Sequence, residues 1–220
     1  TVSKATLAGP CEVMVYTPVG HAAAGGLPVA VFLDLRTDPL SRVLDWLIVR
    51  RDIPPIVAAF VGPRARGDAS CSGAAQSAFI TGRLLKWLAV RQGATDGAAQ
   101  HAILAISFGA KDALGMALDH PNAFGRVGLL IPGRRITPDD IRAVGARSVG
   151  ALSFAILAGR YDHANLPTAR GLRQALHAVG HRVDYIEVPE GHSAVTWRNH
   201  LRGVLVALFG SPAAPVQATR

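Results

Sequence analysis

A serine flanked by small residues, at the end of an apolar run, is the first candidate for chemistry in this chain. Ala102 to Ile106 reads as a buried strand and Ala110 to Leu118 as a helix, and Ser107 stands at their junction in Ala105-Ile106-Ser107-Phe108-Gly109. The pattern small-x-Ser-x-Gly is that of a nucleophile elbow. There the serine backbone is strained, and the residues two before and two after must be small for strand and helix to close on one another. A serine presented in this way can attack a carbonyl carbon. The plainer alternative is an ordinary strand-to-helix turn in which Ser107 only caps the helix.

A serine hydroxyl is a poor nucleophile until a base takes its proton and a third group holds that base in one tautomer. His192 follows the predicted strand Arg182 to Val188 through Pro189-Glu190-Gly191, and Asp162 follows the predicted strand Leu152 to Ala158 through Gly159-Arg160-Tyr161. Both fall at carboxyl ends of strands, as Ser107 does, and the chain order is Ser, acid, His. Of the eight histidines, His192 alone lies just beyond the last strand. His163, His181 and His200 fall in a loop, before a strand and within a helix. Glu190 and Asp184 compete with Asp162 for the role of acid. Asp184 lies inside a strand, however, and Glu190 is only two residues from the histidine. The other reading of Asp162 is a turn or capping residue in Tyr161-Asp162-His163-Ala164-Asn165. A tetrahedral oxyanion needs preplaced donors. One is the backbone N–H of Phe108, and the other comes from the loop after an earlier strand, at Leu35 or Arg36, between which sequence does not choose.

The elements that must position these residues alternate between strand and helix. Strands are expected at Glu12 to Thr17, Pro28 to Leu35, Ile53 to Val61, Ala102 to Ile106, Val127 to Ile131, Leu152 to Ala158 and Arg182 to Val188. Helices are expected at Leu40 to Val49, Ala78 to Gln92, Ala110 to Leu118, Pro138 to Val144, Pro167 to Val179 and Ser193 to Phe209. In the second helix Phe79, Leu84, Leu85 and Leu88 form the apolar face. Arg64 to Ser77, rich in Gly, Ala, Ser and charge, reads as a loop near the site. Such alternation implies an α/β protein with a mainly parallel sheet and helices on both faces, a three-layer sandwich whose chemistry gathers at the carboxyl ends of the strands. No repeat or linker divides it. Residues 1–210 are expected to form one domain, and residues 211–220 a disordered tail.

The 220 residues are half hydrophobic, yet no apolar run reaches the length of a membrane span. The net charge is +8, from 23 Lys and Arg against 15 Asp and Glu. The cations are scattered and not interleaved with aromatics, which argues against nucleic acid; a diffuse positive field favours an anionic substrate or a membrane surface. Which of Arg36, Arg64, Arg66 and Lys111 lines the site is not legible. Cys11 and Cys71 have no metal-ligand spacing and read most simply as structural thiols, with a disulfide left open. No leader peptide is visible, which favours the cytoplasm, with a secreted or periplasmic setting if a leader was removed before Thr1.

Four stretches carry a resemblance to the esterase branch of the α/β-hydrolases, which includes the enterochelin (ferric enterobactin) esterases, esterase D and the mycolyltransferases. They are Val31 to Leu35; Ala105 to Gly109 continued by Asp119-His-Pro-Asn-Ala-Phe-Gly-Arg-Val127; Ala158 to Asp162; and Gly180 to Leu201, with Gly191-His192 and Thr196-Trp197-Arg198. The resemblance implies an α/β-hydrolase fold, a Ser107–Asp162–His192 triad, and cleavage of a small-molecule carboxylic ester through an acyl-enzyme, with no metal or organic cofactor. Ala105 and Ala110 stand where the family usually has glycine. Arg64 to Ser77 lacks the family's Arg-x-x-Glu stretch, which counts against a catechol-siderophore substrate. The short segment between Ile131 and Leu152 implies a small lid and an open cleft. Acyl transfer or thioester hydrolysis would use the same triad, and a silent hydrolase-like binding module is the reading from another class.

Overall fold

The computed structural model describes residues 1–5, 7–20, 25–33, 37–65, 68–145 and 152–210. The predicted tail at residues 211–220 lies outside them. The elements follow in the order β1 (Val2–Lys4), β2 (Glu12–Tyr16), β3 (Val29–Leu33), α1 (Thr37–Val49), β4 (Val57–Gly62), α2 (Gly73–Phe79), α3 (Leu85–Gln92), β5 (His101–Ile106), α4 (Gly109–Asp119), β6 (Arg126–Leu130), α5 (Pro138–Gly145), β7 (Ser153–Gly159), α6 (Leu166–Ala178), β8 (Arg182–Val188) and α7 (Ala194–Phe209). A π-helical turn, Ile80–Leu84, joins α2 to α3, so the predicted helix from Ala78 to Gln92 is one rod with a widened turn.

The strands form one sheet in the order β1-β2-β4-β3-β5-β6-β7-β8. β2 runs antiparallel to both its neighbours, and every pairing from β4 across to β8 is parallel. Successive side chains of a strand point to opposite faces, and the core divides accordingly. Val29, Val31, Leu33, Ile103 and Ala105 face the cluster built with α2, α3, α4 and α6. Ala30, Phe32, Ala102 and Leu104 face the cluster built with Leu40, Leu44 and Leu47 of α1 and Leu201, Leu205 and Leu208 of α7. Burial on both faces is why β3 and β5 read as unbroken apolar runs.

The structure departs from the sequence expectations in several places, among them β1, which is not among the expected strands. The strand expected from Ile53 begins at Val57, because Pro54 and Pro55 have no N–H to give to the ladder. The loop expected up to Ser77 ends earlier, α2 starting at Gly73; Ala74, Ala75 and Ala78 are strong helix formers. The two cysteines are not free thiols. Cys11 and Cys71 form a disulfide with Cα atoms 4.8 Å apart, and it ties the segment before β2 to the foot of α2.

His181, at the entry to β8, is almost fully buried. Its Nδ1 accepts the Leu152 backbone N–H at 3.2 Å, its ring tilts against Phe154, and Nε2 has no hydrogen-bond partner among the described residues. Burial pushes this imidazole below its ordinary pKa, because a charge there would be desolvated.

Two predictions follow from these features. The unfolded chain takes up the His181 proton first, so this group costs stability as pH falls below about 6.5. His181→Gln, which keeps the acceptor but cannot titrate, should flatten the fall in melting temperature between neutral and mildly acid pH; parallel curves for the two proteins would refute it. The disulfide closes a loop between residues 60 apart in sequence, and Cys11→Ser/Cys71→Ser should lower the unfolding free energy in urea by about 2–4 kcal/mol.

Candidate active site

Ser107 lies where β5 ends and α4 begins. Its φ is +48°, in the left-handed region that L-residues other than Gly, Asn and Asp seldom enter. Three backbone hydrogen bonds hold it there. Its N–H donates to Leu130 O at 3.0 Å, and its carbonyl accepts from Ala110 N at 3.3 Å and Gly133 N at 3.2 Å. Ala105 and Gly109 on either side are buried, as an elbow requires. Ile131 is a second constrained residue, at φ +43°. A β-branched residue there stores about 1–3 kcal/mol of strain, and the bend it makes after β6 brings Gly133 against the elbow. A Cβ on Gly133 would stand 3.4 Å from Ser107 Oγ.

The hydroxyl of Ser107 lies 2.8 Å from His192 Nε2, and His192 Nδ1 lies 2.6 Å from Asp162 Oδ2. With the proton on Nδ1 directed at the carboxylate, Nε2 is free to accept the serine proton. Asp162 is 7% exposed and the His192 side chain 33%, so the chain of bonds runs from a buried carboxylate to an open edge of the sheet. Asp162 also accepts from the amide of Asn165, at 2.8 Å to Oδ1 and 3.0 Å to Oδ2.

The loop carrying His192 is pinned from both sides. Arg160 N donates to Val188 O at 2.7 Å and Tyr161 N to Glu190 O at 2.9 Å, which couples the ends of β7 and β8. Ser193 Oγ caps α7 by accepting from Thr196 N, and Thr196 Oγ1 donates to Gly191 O at 2.8 Å. Gly159 permits the close approach, since a Cβ there would come within 2.6 Å of Glu190 O and 2.9 Å of Gly191 O.

The competing acids are engaged elsewhere. Glu190 bonds His200 Nε2 at 2.9 Å, and that partner holds its carboxyl below the usual range; Asp184 pairs with Arg182. Phe108 N–H belongs to the first turn of α4, whose leading N–H groups have no acceptor inside the helix. Leu35 and Arg36, the alternatives for the second oxyanion donor, lie outside the described residues, as does Arg66. Of the other cations named from sequence, Arg64 donates to Gly9 O and Lys111 to Asp140 at 2.8 Å. Arg135 donates to Phe108 O and to Asp112. A groove of about 510 Å³ between α2 and α4, lined by Ser77, Lys111, Met116 and His120 among others, does not include the three linked residues. Among the described residues no group of three or more His, Cys, Asp or Glu is placed to hold a metal ion, and no helix is long and apolar enough to cross a membrane.

Asn165 and Gly133 had no signal that reading along the sequence could use. Asn165 looks like a helix cap, and Gly133 like a turn residue after Pro132. Each matters only through what the fold brings beside it.

A strained serine at the carboxyl edge of an eight-stranded, mostly parallel sheet with one antiparallel member, linked to a histidine and an aspartate, defines the α/β-hydrolase class. The family model described as "Putative esterase" matches residues 4–133, more than half of the chain, and the chain belongs to that family. It is similar in structure to the enterochelin esterase of Shigella flexneri, with a TM-score of 0.82 and 22% identity over 94% of this chain and 57% of that one. The ferric enterobactin esterase of Salmonella typhimurium gives 0.74 and 24% over 90% of this chain and 54% of that one. The CE1 ferulic acid esterase of Anaeromyces mucronatus gives 0.75 and 16% over 96% and 91%. The chain therefore spans little more than half of the two bacterial esterases, and at these identities the likeness is one of fold. No curated protein matches it.

Gly159→Ala should push the Glu190–His192 loop away from β7 and separate His192 from Ser107. The rate of serine labelling by a fluorophosphonate should fall by about a hundredfold, as expected for a catalytic group displaced by an ångström, with the circular dichroism spectrum unchanged. Labelling at the wild-type rate would show that the loop accommodates the methyl group.

Proposed function

We propose that this protein is a serine carboxylic-ester hydrolase in which Ser107, His192 and Asp162 act as nucleophile, general base and orienting acid. The observation that carries the reading is the unbroken chain from Ser107 Oγ to His192 Nε2 at 2.8 Å and from His192 Nδ1 to Asp162 Oδ2 at 2.6 Å, built on a left-handed serine. Membership of the esterase family supports the reaction class. The family match ends at residue 133 and so covers the elbow but neither Asp162 nor His192; for those two the support is geometric.

The Ser107 hydroxyl gives its proton to His192 Nε2 as Oγ bonds to the ester carbonyl carbon, and the carbonyl oxygen takes up the electron pair. Phe108 N–H and the helix start behind it meet that negative charge. The intermediate collapses, the C–O bond to the leaving alcohol breaks, and the alcohol departs with the proton from Nε2. Water then repeats the attack on the acyl-enzyme with His192 again as base, releasing the acid and restoring Ser107. Asp162 accepts from Nδ1 throughout and stabilises the imidazolium without taking its proton.

The surroundings favour an ester with an apolar group beside the scissile bond. Phe108, Tyr161 and Val195 are exposed large hydrophobic side chains, and each lies next to, or within a helical turn of, one of the three linked residues. An open, apolar rim of this kind suits a small-molecule ester entering from solvent. Residues 1–210 are read as the single domain that carries this activity.

Ser107→Ala and His192→Ala should each abolish turnover of a short p-nitrophenyl ester while leaving the fold intact. Intact-mass analysis after fluorophosphonate treatment should give one adduct on the wild-type protein and none on Ser107→Ala. An adduct that persists in the variant, or undiminished turnover in either one, refutes the assignment; a folded wild-type protein that takes no adduct favours a binding module.

A further inference from the structure

The carboxylate of Asp162 is held by a residue that is spending an unusual resource. Asn165 stands at the N-cap of α6, and asparagine is among the best caps, yet its side chain makes no bond to its own helix. Its backbone is at φ −114° and ψ −17°, not the extended conformation of a capping residue, and Pro167 removes one of the N–H groups that a cap would serve. The amide is turned toward the site instead. Nδ2 donates to both oxygens of Asp162, at 2.8 and 3.0 Å, and Oδ1 accepts the Arg134 backbone N–H at 3.0 Å.

The Arg134 bond fixes which way the amide points. Reversed, its NH2 group would meet another N–H, and its oxygen would face the carboxylate. Asn165 Nδ2 also lies 3.2 Å from His192 Nδ1. Both nitrogens carry hydrogens directed at Asp162, so this is the contact of two donors around a shared acceptor. Gly133, the residue before Arg134, donates to the carbonyl of Ser107. A closed circuit results: Ser107 to His192, His192 to Asp162, Asp162 to Asn165, Asn165 to Arg134, and through Gly133 back to Ser107.

We infer that Asn165 is a positioning residue for this site, orienting the Asp162 carboxylate toward His192 and referencing it to the backbone of the nucleophile. The inference rests on the triad reading above. A carboxylate bonded at one oxygen can rotate or shift its proton partner; with the Asn165 NH2 group bridging both oxygens, the carboxylate is held with Oδ2 toward His192 Nδ1. Charge-assisted hydrogen bonds of this kind are the strong ones.

The test compares wild type, Asn165→Ala and Asn165→Asp by steady-state hydrolysis of a p-nitrophenyl ester and by fluorophosphonate labelling across pH. Asn165→Ala should lose about tenfold to a hundredfold in kcat with KM within about twofold, and should label correspondingly slowly. Asn165→Asp keeps the shape and the capping ability, so it decides the matter even where Asn165→Ala does not fold. Two carboxylates sharing one proton hold it tightly, and the protonated partner donates as the amide did. The activity of Asn165→Asp relative to wild type should therefore fall as pH rises and that proton is lost, a trend that a purely structural role would not produce. Wild-type kcat in Asn165→Ala together with a pH-independent ratio for Asn165→Asp would overturn this inference alone, provided the wild-type protein is labelled on Ser107. A wild-type protein that is not labelled on Ser107 would overturn the triad reading and this inference with it.

Discussion

The backbone of Ser107 is the constraint on which the rest of the site depends. A serine at φ +48° does not stay there by itself; the conformation costs about 1–3 kcal/mol and persists only because neighbours over-determine it. Leu130 O, Ala110 N and Gly133 N supply three hydrogen bonds to that one residue. Two of these partners come from β6 and the bend after it, so the strand beside the elbow does as much to set the serine as the strand that carries it. The strain has a spatial result. With the backbone held so, Ser107 Oγ lies 2.8 Å from His192 Nε2.

His192 reaches Ser107 from the neighbouring strands at the other end of the sheet. β7 and β8 run in parallel register from Ser153 and Arg182 to Gly159 and Val188, and their ends are stitched together by Arg160 N and Tyr161 N. Asp162 and His192 thus inherit a fixed separation from two adjacent strands, and neither has to be placed by a long loop. Gly159 sets how close the two loops come. An aspartate just beyond β7 is consequently a better partner for the histidine than Glu190, which shares the histidine's own loop and bonds His200 on α7.

Much of this was legible in the sequence because it follows from local rules. Unbroken apolar runs marked the central strands, since strands covered on both faces leave no polar alternation. The small residues around Ser107, and the placement of Asp162 and His192 just past strand ends, carried the candidate site. What was not legible depended on distance. The Cys11–Cys71 bond joins residues 60 apart in sequence, with no local spacing to announce it. The early start of α2 hid inside a run of Gly, Ala and Ser that fits a loop as well as a helix. β1, three exposed residues long, has no apolar pattern at all and exists because β2 offers it an edge. Asn165 carried no signal for a physical reason: an asparagine before a helix fits a cap, and only the fold brings its amide to Asp162 and the Arg134 backbone.

The polar network gains its stiffness from closing on itself. A linear chain from Asp162 through His192 to Ser107 would transmit any rotation of the carboxylate to the imidazole, and the serine would meet a ring of wandering orientation. When the same carboxylate is bonded to Asn165, and Asn165 to the backbone that also grips Ser107, rotation at any member strains a bond at another. The charged member of that circuit is the buried one, where the local dielectric is lowest and each hydrogen bond is electrostatically strongest. His192 and Ser107, at the other end, are more open to solvent. A rigid carboxylate and an accessible serine are thus two results of one arrangement, a buried aspartate beyond β7 linked to the open end of β5.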